Sequence, residues 1–317
     1  FNMNFLQTGF KGKNDWWMYS LTLFVIFFAT QIASFVLVFV ALNQVDGDME
    51  MFLKAAKTSF LNIGINSSLY LFLIIITFIA GFIALYICIR KLHKKKFIWI
   101  VTSRKKMDWN RFFFGALLWG GLSLLFLGTD IVLSPENYVW NFKPLPFFTL
   151  FFVAVLFLPI QTSLEELLFR GYYMQGLALW LKNKWAPLII MSMVFGLLHG
   201  MNPEIEKLGY AALFLYIGTG FFFGIVTLMD EGTELAMGMH AINNIIAALF
   251  ITVDWSVLPT DALYINTSEP LMGLDMFLPF LVLYPLGFFI LSKKYKWTNW
   301  KDKIFGNVEE PILIENE

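Results

Sequence analysis

The chain has 317 residues, of which 58% are hydrophobic, 18% aromatic and 15% charged, and its 23 basic and 23 acidic side chains give a formal net charge of zero. A soluble domain carries roughly a quarter of its residues as charged side chains. The composition therefore excludes an ordinary water-soluble protein and predicts a polytopic membrane protein. Balanced charge gives no overall attraction to nucleic acid, so we expect no nucleic-acid partner. The single cysteine, Cys88, excludes an intrachain disulfide, and we expect a packed or lipid-facing thiol.

Apolar runs long enough to cross about 30 Å of hydrocarbon recur along the chain. The first begins at residue 16, exceeds the core of a signal peptide in length and has no cleavage pattern after it, so we interpret it as a retained span. The predicted fold is all-α, a polytopic membrane protein with about eight transmembrane helices. The predicted spans lie at about 16–43, 67–90, 110–133, 146–180, 185–201, 207–229, 234–253 and 275–292.

Basic residues sort to one side of these spans. They concentrate at 90–106 between spans two and three, at Lys182 and Lys184 between spans four and five, and at 292–303 after span eight. The opposite loops are acidic or neutral, and only the acidic turn DEGTE at 230–234 breaks the pattern. The positive-inside rule places the basic loops in the cytoplasm. We therefore predict an integral protein of a bacterial plasma membrane with both termini cytoplasmic.

Three further features belong to these membrane boundaries. His93 lies within the basic loop LHKKK, and we interpret it as a solvated surface residue. We interpret the basic cluster at 90–111 as fixing topology, with binding of anionic lipid headgroups as the alternative. Several tryptophans near span ends are predicted to be interfacial anchors. These are Trp16, Trp17, Trp109, Trp180, Trp185 and Trp297.

Three charges interrupt the fourth predicted span. The segment SLEELLFRGYYMQGL carries Glu165, Glu166 and Arg170 between stretches that are nearly all hydrocarbon. A charge at the bilayer centre costs about 2.5 kcal/mol or more on insertion scales, so such residues are candidates for function. Glu166 and Arg170 stand four residues apart with the acid first, which predicts a pair on one helical face. Glu165 is turned about 100° away and is left free.

Helix lengths predict which other polar residues meet Glu165. If spans four and five form an antiparallel hairpin about a turn near residue 182, Glu165 and His199 both stand about 25 Å from that turn and can touch. On span seven, His240 and Asn244 are four residues apart and share one helical face. Their height along the bundle is compatible with that of Glu165 and His199. The sequence thus predicts that three helices bring these ionisable and polar groups together.

This set of groups suits the hydrolysis of an amide. A carboxylate beside an imidazole holds and deprotonates water, while a second imidazole and a carboxamide donate hydrogen bonds to a developing oxyanion. The structural alternative is that Glu166 and Arg170 form a buried pair that locks packing, with the histidines hydrogen-bonding between helices. Under that alternative the cluster has no catalytic role.

At these residues the chain resembles the CAAX-protease and bacteriocin-processing family of intramembrane proteases, which includes the type II CAAX prenyl endopeptidases. The family pattern is E-E-x-x-x-R, then F-x-x-x-H, then H-x-x-x-N or a similar last residue. Here it occurs in order as EELLFR, FGLLH and HAINN. The resemblance implies roles for all the motif residues. The catalytic residues are Glu165, His199, His240 and Asn244, and the supporting residues are Glu166, Arg170 and Phe195.

The resemblance leaves two versions of the mechanism open. In the metal-free version, which we favour and which needs no cofactor, Glu165 and His199 activate the water. His240 and Asn244 then stabilise the oxyanion. In the alternative version a zinc ion is bound by Glu165, His199 and His240, although the zinc signature H-E-x-x-H is absent from the chain.

The predicted function is an intramembrane endopeptidase that hydrolyses a peptide bond near the C-terminus of a lipidated or hydrophobic peptide or protein. Its expected partners are that substrate and the lipid bilayer. The alternative is a membrane transporter or bacteriocin-immunity protein without proteolysis, but the internal repeat typical of transporters is not found. A membrane scaffold would not explain why Glu165 and His199 stand at the same distance from the turn between their helices.

The chain divides into three predicted regions. Residues 1–145 carry about three membrane helices and the basic cytoplasmic loop. Residues 146–253 form the catalytic helical core, with the catalytic residues on spans four, five and seven. Residues 254–317 supply an extracytoplasmic loop, the last span and a cytoplasmic tail.

Overall fold

Helices account for most of the computed structural model, which describes residues 3–56, 59–253, 259–269, 273 and 277–311. The α-helices are α1 (Trp16–Gln44), α2 (Met49–Ala56), α3 (Ser67–Ile87), α4 (Ile98–Val101), α5 (Trp109–Leu133), α6 (Pro144–Glu166), α7 (Met174–Leu181), α8 (Trp185–Leu198), α9 (Pro203–Leu208), α10 (Leu213–Asp230), α11 (Glu234–Phe250), α12 (Tyr284–Tyr295) and α13 (Trp300–Phe305). Segments wound as 3-10 helix are Gln7–Phe10, Leu61–Ile63, Pro135–Asn137, His199–Met201 and Tyr210–Ala212. Segments wound as π-helix are Cys88–Leu92, Leu167–Tyr173 and Pro279–Leu283.

Several of these helices have the length and composition of membrane spans. Within the described ranges, five are long and apolar enough to cross a bilayer: Trp16–Gln44, Ser67–Leu92, Trp109–Leu133, Pro144–Leu181 and Tyr210–Asp230. Two shorter apolar helices, Trp185–Met201 and Glu234–Phe250, coincide with predicted spans five and seven. The predicted span at 275–292 includes positions outside the described residues. The protein is an integral membrane protein, and the predicted helical, multi-pass class is confirmed.

A small sheet adds to the predicted all-α fold. Strand β1 (Tyr138–Trp140) pairs antiparallel with β3 (Tyr264–Asn266), and β3 pairs parallel with β2 (Ile251–Thr252). Strands this short do not show the alternation of side chains by which a strand is recognised. The sheet ties the loop before α6 to the end of α11, opposite the end of α11 that follows the acidic turn.

Close helix packing positions the charged residues of the interior. Helix α11 packs against α5 and α6, and α10 packs against α8. A Cβ atom on Gly220 of α10 would stand 2.9 Å from the Cα atom of Ser192 on α8. One on Gly115 of α5 would stand 2.7 Å from the carbonyl oxygen of Leu235 on α11. Small residues at helix crossings allow such approach in membrane proteins, and they bring polar groups of different helices within hydrogen-bond distance.

The basic loop after α3 is folded against the protein. His93 is fully buried, with Nε2 2.6 Å from the Tyr172 hydroxyl and Nδ1 2.8 Å from the Lys13 carbonyl oxygen. The predicted solvated role of His93 is therefore wrong, because the N-terminal segment before α1 covers the loop. Lys95 is also buried, and its Nζ donates to Asn14 Oδ1 at 2.7 Å. Burial lowers the pKa of His93 to about 4 and the pKa of Lys95 to about 7.

The acidic turn that broke the predicted charge pattern is paired with this basic loop. Arg104 contacts Asp230 at 3.0 Å and Glu234 at 3.1 Å, and Arg111 contacts Asp230 at 2.5 Å. Trp297 donates its indole N–H to Asp230 Oδ1 at 3.2 Å and is buried, so it is not the exposed anchor that the sequence predicted. The other predicted anchors are exposed: Trp16, Trp17, Trp109, Trp180 and Trp185.

Candidate active site

The two adjacent glutamates lie where a long membrane helix changes its winding. Helix α6 ends at Glu166, the segment Leu167–Tyr173 is π-helical, and α7 continues the rod to Leu181. Segments of π-helix are rare and occur frequently at functional sites. This one begins directly after the glutamates and contains Arg170, so the unusual winding coincides with the first sequence motif.

Glu166 is buried and shared by two partners. Its Oε1 accepts from Arg170 Nη1 at 3.0 Å and from His240 Nδ1 at 2.7 Å. Arg170 also donates from Nη2 to the Gly220 carbonyl at 3.2 Å, and its guanidinium carbon lies 4.3 Å from the centroid of the Phe195 ring. Glu166 and Arg170 are 0% and 1% exposed. The structure thus contains the predicted pair and adds His240 to it.

The hydrogen bond to Glu166 fixes the orientation of the His240 ring. An ionised carboxylate only accepts, so Nδ1 carries the proton of this bond and Nε2 faces the other way. His240 Nε2 lies 3.7 Å from Glu165 Oε2, which is close but beyond hydrogen-bond distance. The Phe223 ring stacks on the imidazole with centroids 5.3 Å apart. His240 therefore lies between the two carboxylates, bonded to one and facing the other.

Glu165 is held by a residue that the sequence analysis did not single out. Gln161, one turn earlier on α6, donates from Nε2 to Glu165 Oε1 at 2.5 Å. Asn244 Nδ2 in turn donates to Gln161 Oε1 at 3.1 Å. Within the described residues, Glu165 Oε2 is buried and accepts no hydrogen bond. The signal available in the sequence was the spacing of four residues between Gln161 and Glu165.

His199 begins the 3-10 turn that follows α8. Its Nδ1 lies 2.7 Å from the Phe195 carbonyl oxygen, which only accepts, so Nδ1 carries the proton and Nε2 is left as an acceptor. The Tyr216 ring stacks on the imidazole at 4.3 Å. The Phe195 ring lies 4.8 Å from the His199 ring and 6.3 Å from the His240 ring, between centroids. The imidazole next to Glu165 is thus that of His240 and not, as predicted, that of His199. Equal distance of two residues from a turn does not determine how each helix is rotated about its own axis.

The alternative zinc site was tested against the positions of its donors. In the described part of the chain, no three His, Cys, Asp or Glu side chains are placed to hold a metal ion. Glu165 and His240 are neighbours, but His199 hydrogen-bonds backbone and stacks on Tyr216. These three donors are not gathered into a ligand set, and we derive no step through a metal.

Comparison with known proteins identifies the segment that carries the site. Residues 144–246 match the family described as Type II CAAX prenyl endopeptidase Rce1-like. This chain carries an Rce1-like segment. A Bacillus subtilis (strain 168) relative, Uncharacterized protein YyaK, is 33% identical over 173 residues, which cover 54% of this chain and 58% of the relative. The chain therefore spans less than two thirds of that relative's length. No solved structure matches.

The Rce1-like segment contains all three sequence motifs, and the resemblance to the CAAX-protease and bacteriocin-processing family is confirmed. It also contains Gln161, which belongs to none of the motifs. The segment supplies three kinds of polar group at the site. Glu165 has a carboxylate oxygen without a hydrogen-bond partner in the described protein, His199 has an imidazole nitrogen that accepts, and Asn244 has amide hydrogens that donate. A base, a second acceptor and an oxyanion donor are the groups that amide hydrolysis needs.

Proposed function

We propose that the protein is an intramembrane endopeptidase that cleaves a peptide bond near the C-terminus of a hydrophobic or lipidated peptide. The observation that carries this proposal is the unequal bonding of the two glutamates. Each glutamate has one oxygen that accepts no hydrogen bond in the described residues, but Glu166 Oε1 is bound by Arg170 and His240. Glu165 Oε1 is bound by the neutral amide of Gln161, and its Oε2 lies 3.7 Å from His240 Nε2. The Rce1-like segment supports the same class of reaction.

In the proposed reaction Glu165 is the general base. Its Oε2 takes a proton from water as the water oxygen bonds to the substrate carbonyl carbon. His199 Nε2, free to accept, holds the second hydrogen of that water. The tetrahedral oxyanion collapses, the C–N bond breaks, and the leaving amine takes the proton from Glu165. No metal takes part in this proposed sequence.

The oxyanion is stabilised by His240 and Asn244 in this proposal. Each presents N–H groups in a water-poor interior, where a donor aimed at developing charge is worth more than in water. Glu166 accepts from His240 Nδ1 and orients the imidazole so that Nε2 faces Glu165, as a carboxylate orients the histidine of a serine hydrolase. Arg170 donates to the same oxygen of Glu166 and holds that side chain in place. Glu166 and Arg170 therefore support the site and do not touch substrate.

The proposal is tested by release of a C-terminal tripeptide from a farnesylated peptide, using purified protein with and without chelator. We expect release that survives chelation and is lost in Glu165→Gln. Glu136→Gln, at an exposed position near the small sheet, is the matched control and should keep full activity. Activity that disappears on chelation and returns with zinc would contradict the metal-free mechanism. Absence of cleavage of both farnesylated and unmodified hydrophobic peptides would contradict the peptidase.

We further propose that the basic end of the bundle faces the cytoplasm of a bacterial plasma membrane. The turn after α7 pairs through Asn183 with Asn307, which places basic loops together at one end. In intact cells, a cysteine at exposed Lys105 should be shielded from an impermeant thiol reagent, and one at exposed Glu136 should be labelled. The native Cys88 is buried and gives a low background. Labelling at 105 alone would reverse the orientation.

A further inference from the structure

We propose that Gln161 is a positioning residue that determines which oxygen of Glu165 takes the proton and which end of the Asn244 amide faces the substrate. This inference rests on the proposed function, because it assigns Gln161 to the same reaction. Gln161 contacts both groups: Nε2 bonds Glu165 Oε1 at 2.5 Å and Oε1 accepts from Asn244 Nδ2 at 3.1 Å. It therefore connects the base on α6 with the oxyanion donor on α11.

The chemistry of the three side chains fixes the direction of these bonds. An ionised carboxylate has no hydrogen to donate, so the amide nitrogen of Gln161 must face Glu165. The amide oxygen of Gln161 then faces Asn244 and requires the nitrogen of that residue. Asn244 Oδ1 accepts from Asn243 Nδ2 at 3.3 Å, which favours the same orientation. A flip of the Asn244 amide would lose both bonds.

This orientation leaves Asn244 equipped for its proposed role. An amide nitrogen carries two hydrogens, and Gln161 uses one of them. The second is available to an oxyanion. If the amide were reversed, Asn244 would present an oxygen, which would repel a developing negative charge. Gln161 therefore selects the donor end of Asn244 without touching the substrate.

The same contact selects the reactive oxygen of Glu165. Because Oε1 accepts from Gln161, it stays an acceptor when the base is protonated, and the proton from water goes to Oε2. That oxygen faces His240 Nε2 at 3.7 Å and accepts no hydrogen bond among the described residues. The proton is thus taken up on the side where His240 lies. Gln161 keeps its two hydrogen bonds through the reaction.

A second glutamine on the same helical rod provides a matched control. Gln175 of α7 is buried, and its Nε2 donates to the Phe5 carbonyl at 3.0 Å, the Thr8 hydroxyl at 3.0 Å and the Trp99 carbonyl at 2.8 Å. These partners belong to the N-terminal segment and the basic loop. Gln175 therefore has an amide that serves packing alone, with at least as many hydrogen bonds as Gln161.

The experiment compares Gln161→Leu, Gln161→Glu and Gln175→Leu in the farnesylated-peptide assay. We expect Gln161→Leu to lower kcat about thirtyfold with KM changed less than about twofold, since its target groups act in the transition state. Gln161→Glu keeps the shape but replaces the donor by an acceptor, so it should not rescue kcat. Gln175→Leu should lower the melting temperature and leave kcat unchanged. Equal kcat in Gln161→Leu and wild type would overturn the inference.

A double mutant tests the connection itself. Combined with Asn244→Ala, Gln161→Leu should cost only about threefold more in kcat, because part of its effect acts through Asn244. Fully multiplicative losses would overturn the link between the two residues. A wild-type protein that cleaves neither peptide would instead overturn the proposed function and this inference with it. An active wild type with normal Gln161 variants overturns the inference alone, so the two failures are distinguishable.

Discussion

Two buried charge clusters in this protein differ in how completely their carboxylates are bound. In the first, at the turn between α10 and α11, each carboxylate oxygen of Asp230 and Glu234 accepts a hydrogen bond. The donors are Arg104, Arg111, Trp297 and one backbone N–H. Two guanidinium groups serve the two buried acids there, and Arg111 also contacts the more exposed Asp108 at 3.2 Å. Full pairing of this kind is expected where buried charges hold a loop in place.

The second cluster, at the end of α6, has one guanidinium for two acids. Arg170 serves Glu166, while among the described residues the hydrogen bond to Glu165 comes from the neutral amide of Gln161. One oxygen on each of these glutamates accepts no hydrogen bond within the described ranges. An incompletely satisfied buried carboxylate destabilises the fold and remains available for chemistry. The comparison separates a cluster that stabilises structure from one suited to catalysis.

The largest effect is expected from a change at Glu165, whose Oε2 accepts no hydrogen bond among the described residues. Glu165→Gln should lower kcat by about 10³-fold or more, because the amide keeps the shape but does not accept a proton. The melting temperature should stay near that of the wild type. Peptide release and thermal melts of the purified variant check this pair of outcomes. Near-normal turnover in Glu165→Gln would show that another group is the base.

Stability variants sharpen the comparison between the clusters. Glu166→Gln leaves the buried guanidinium of Arg170 underpaired and should lower the free energy of unfolding by about 3 kcal/mol. Asp230→Asn changes a carboxylate whose partners Arg104 and Arg111 are partly exposed, so its loss should be smaller. Denaturant titration in mixed micelles measures both losses. The folded fraction of Asp230→Asn should keep the wild-type kcat, whereas Glu166→Gln should lose it. If both variants kept activity, Glu166 would be structural in the same sense as Asp230.

A smaller effect is expected at the oxyanion donor. Asn244→Ala should reduce kcat about a hundredfold with little change in KM, because the oxyanion exists only on the way to product. Asn243→Ala on the same helix is the control and should have a clearly smaller effect. Steady-state kinetics of peptide release distinguish the two. A raised KM at constant kcat would make Asn244 a substrate-binding residue.

The smallest effect concerns a buried cation that has neutral acceptors. Lys95 donates to the Gly9 carbonyl and to Asn14 Oδ1, and burial lowers its pKa to about 7. The unfolded lysine keeps a pKa of about 10.4, so between these values the unfolded chain binds more protons. Stability should therefore rise as pH increases from 7 to 9. Thermal melts should show this rise in the wild type and a flatter response in Lys95→Met.

Much of this arrangement follows from the sequence because local rules act over one helix. The lengths of the apolar runs predicted the helix ends within a few residues, and the separation of four residues predicted the Glu166–Arg170 pair. Whether Glu165 meets His199 or His240 depends on rotation of one helix against another, which spacing along a single chain segment does not determine. Burial of His93 depends on the N-terminal segment more than 75 residues away in sequence, and a run of basic residues predicts solvent.

Gln161 was overlooked for a different reason. A glutamine within a membrane helix can have many non-catalytic roles, and Gln175, which hydrogen-bonds the Trp99 carbonyl, is an example. What distinguishes Gln161 is its contact with two motif residues, Glu165 and Asn244. The contact with Asn244 is visible only in the packing of α6 against α11. Polar residues four positions from a motif residue are therefore worth inspecting in similar chains.

The π-helical segment Leu167–Tyr173 gives this part of the helix a tolerance to deletion that regular α winding lacks. A π turn holds about one residue more than an α turn, so deleting one residue there would restore α winding with little rotation of α6 against α7. Glu165 would keep its direction toward α11. Deleting one residue between Gln161 and Glu165, where the winding is α-helical, would instead rotate these two residues against each other by about 100°. Two chains with the same motif residues but a different residue count in that part of α6 would therefore not share the same site.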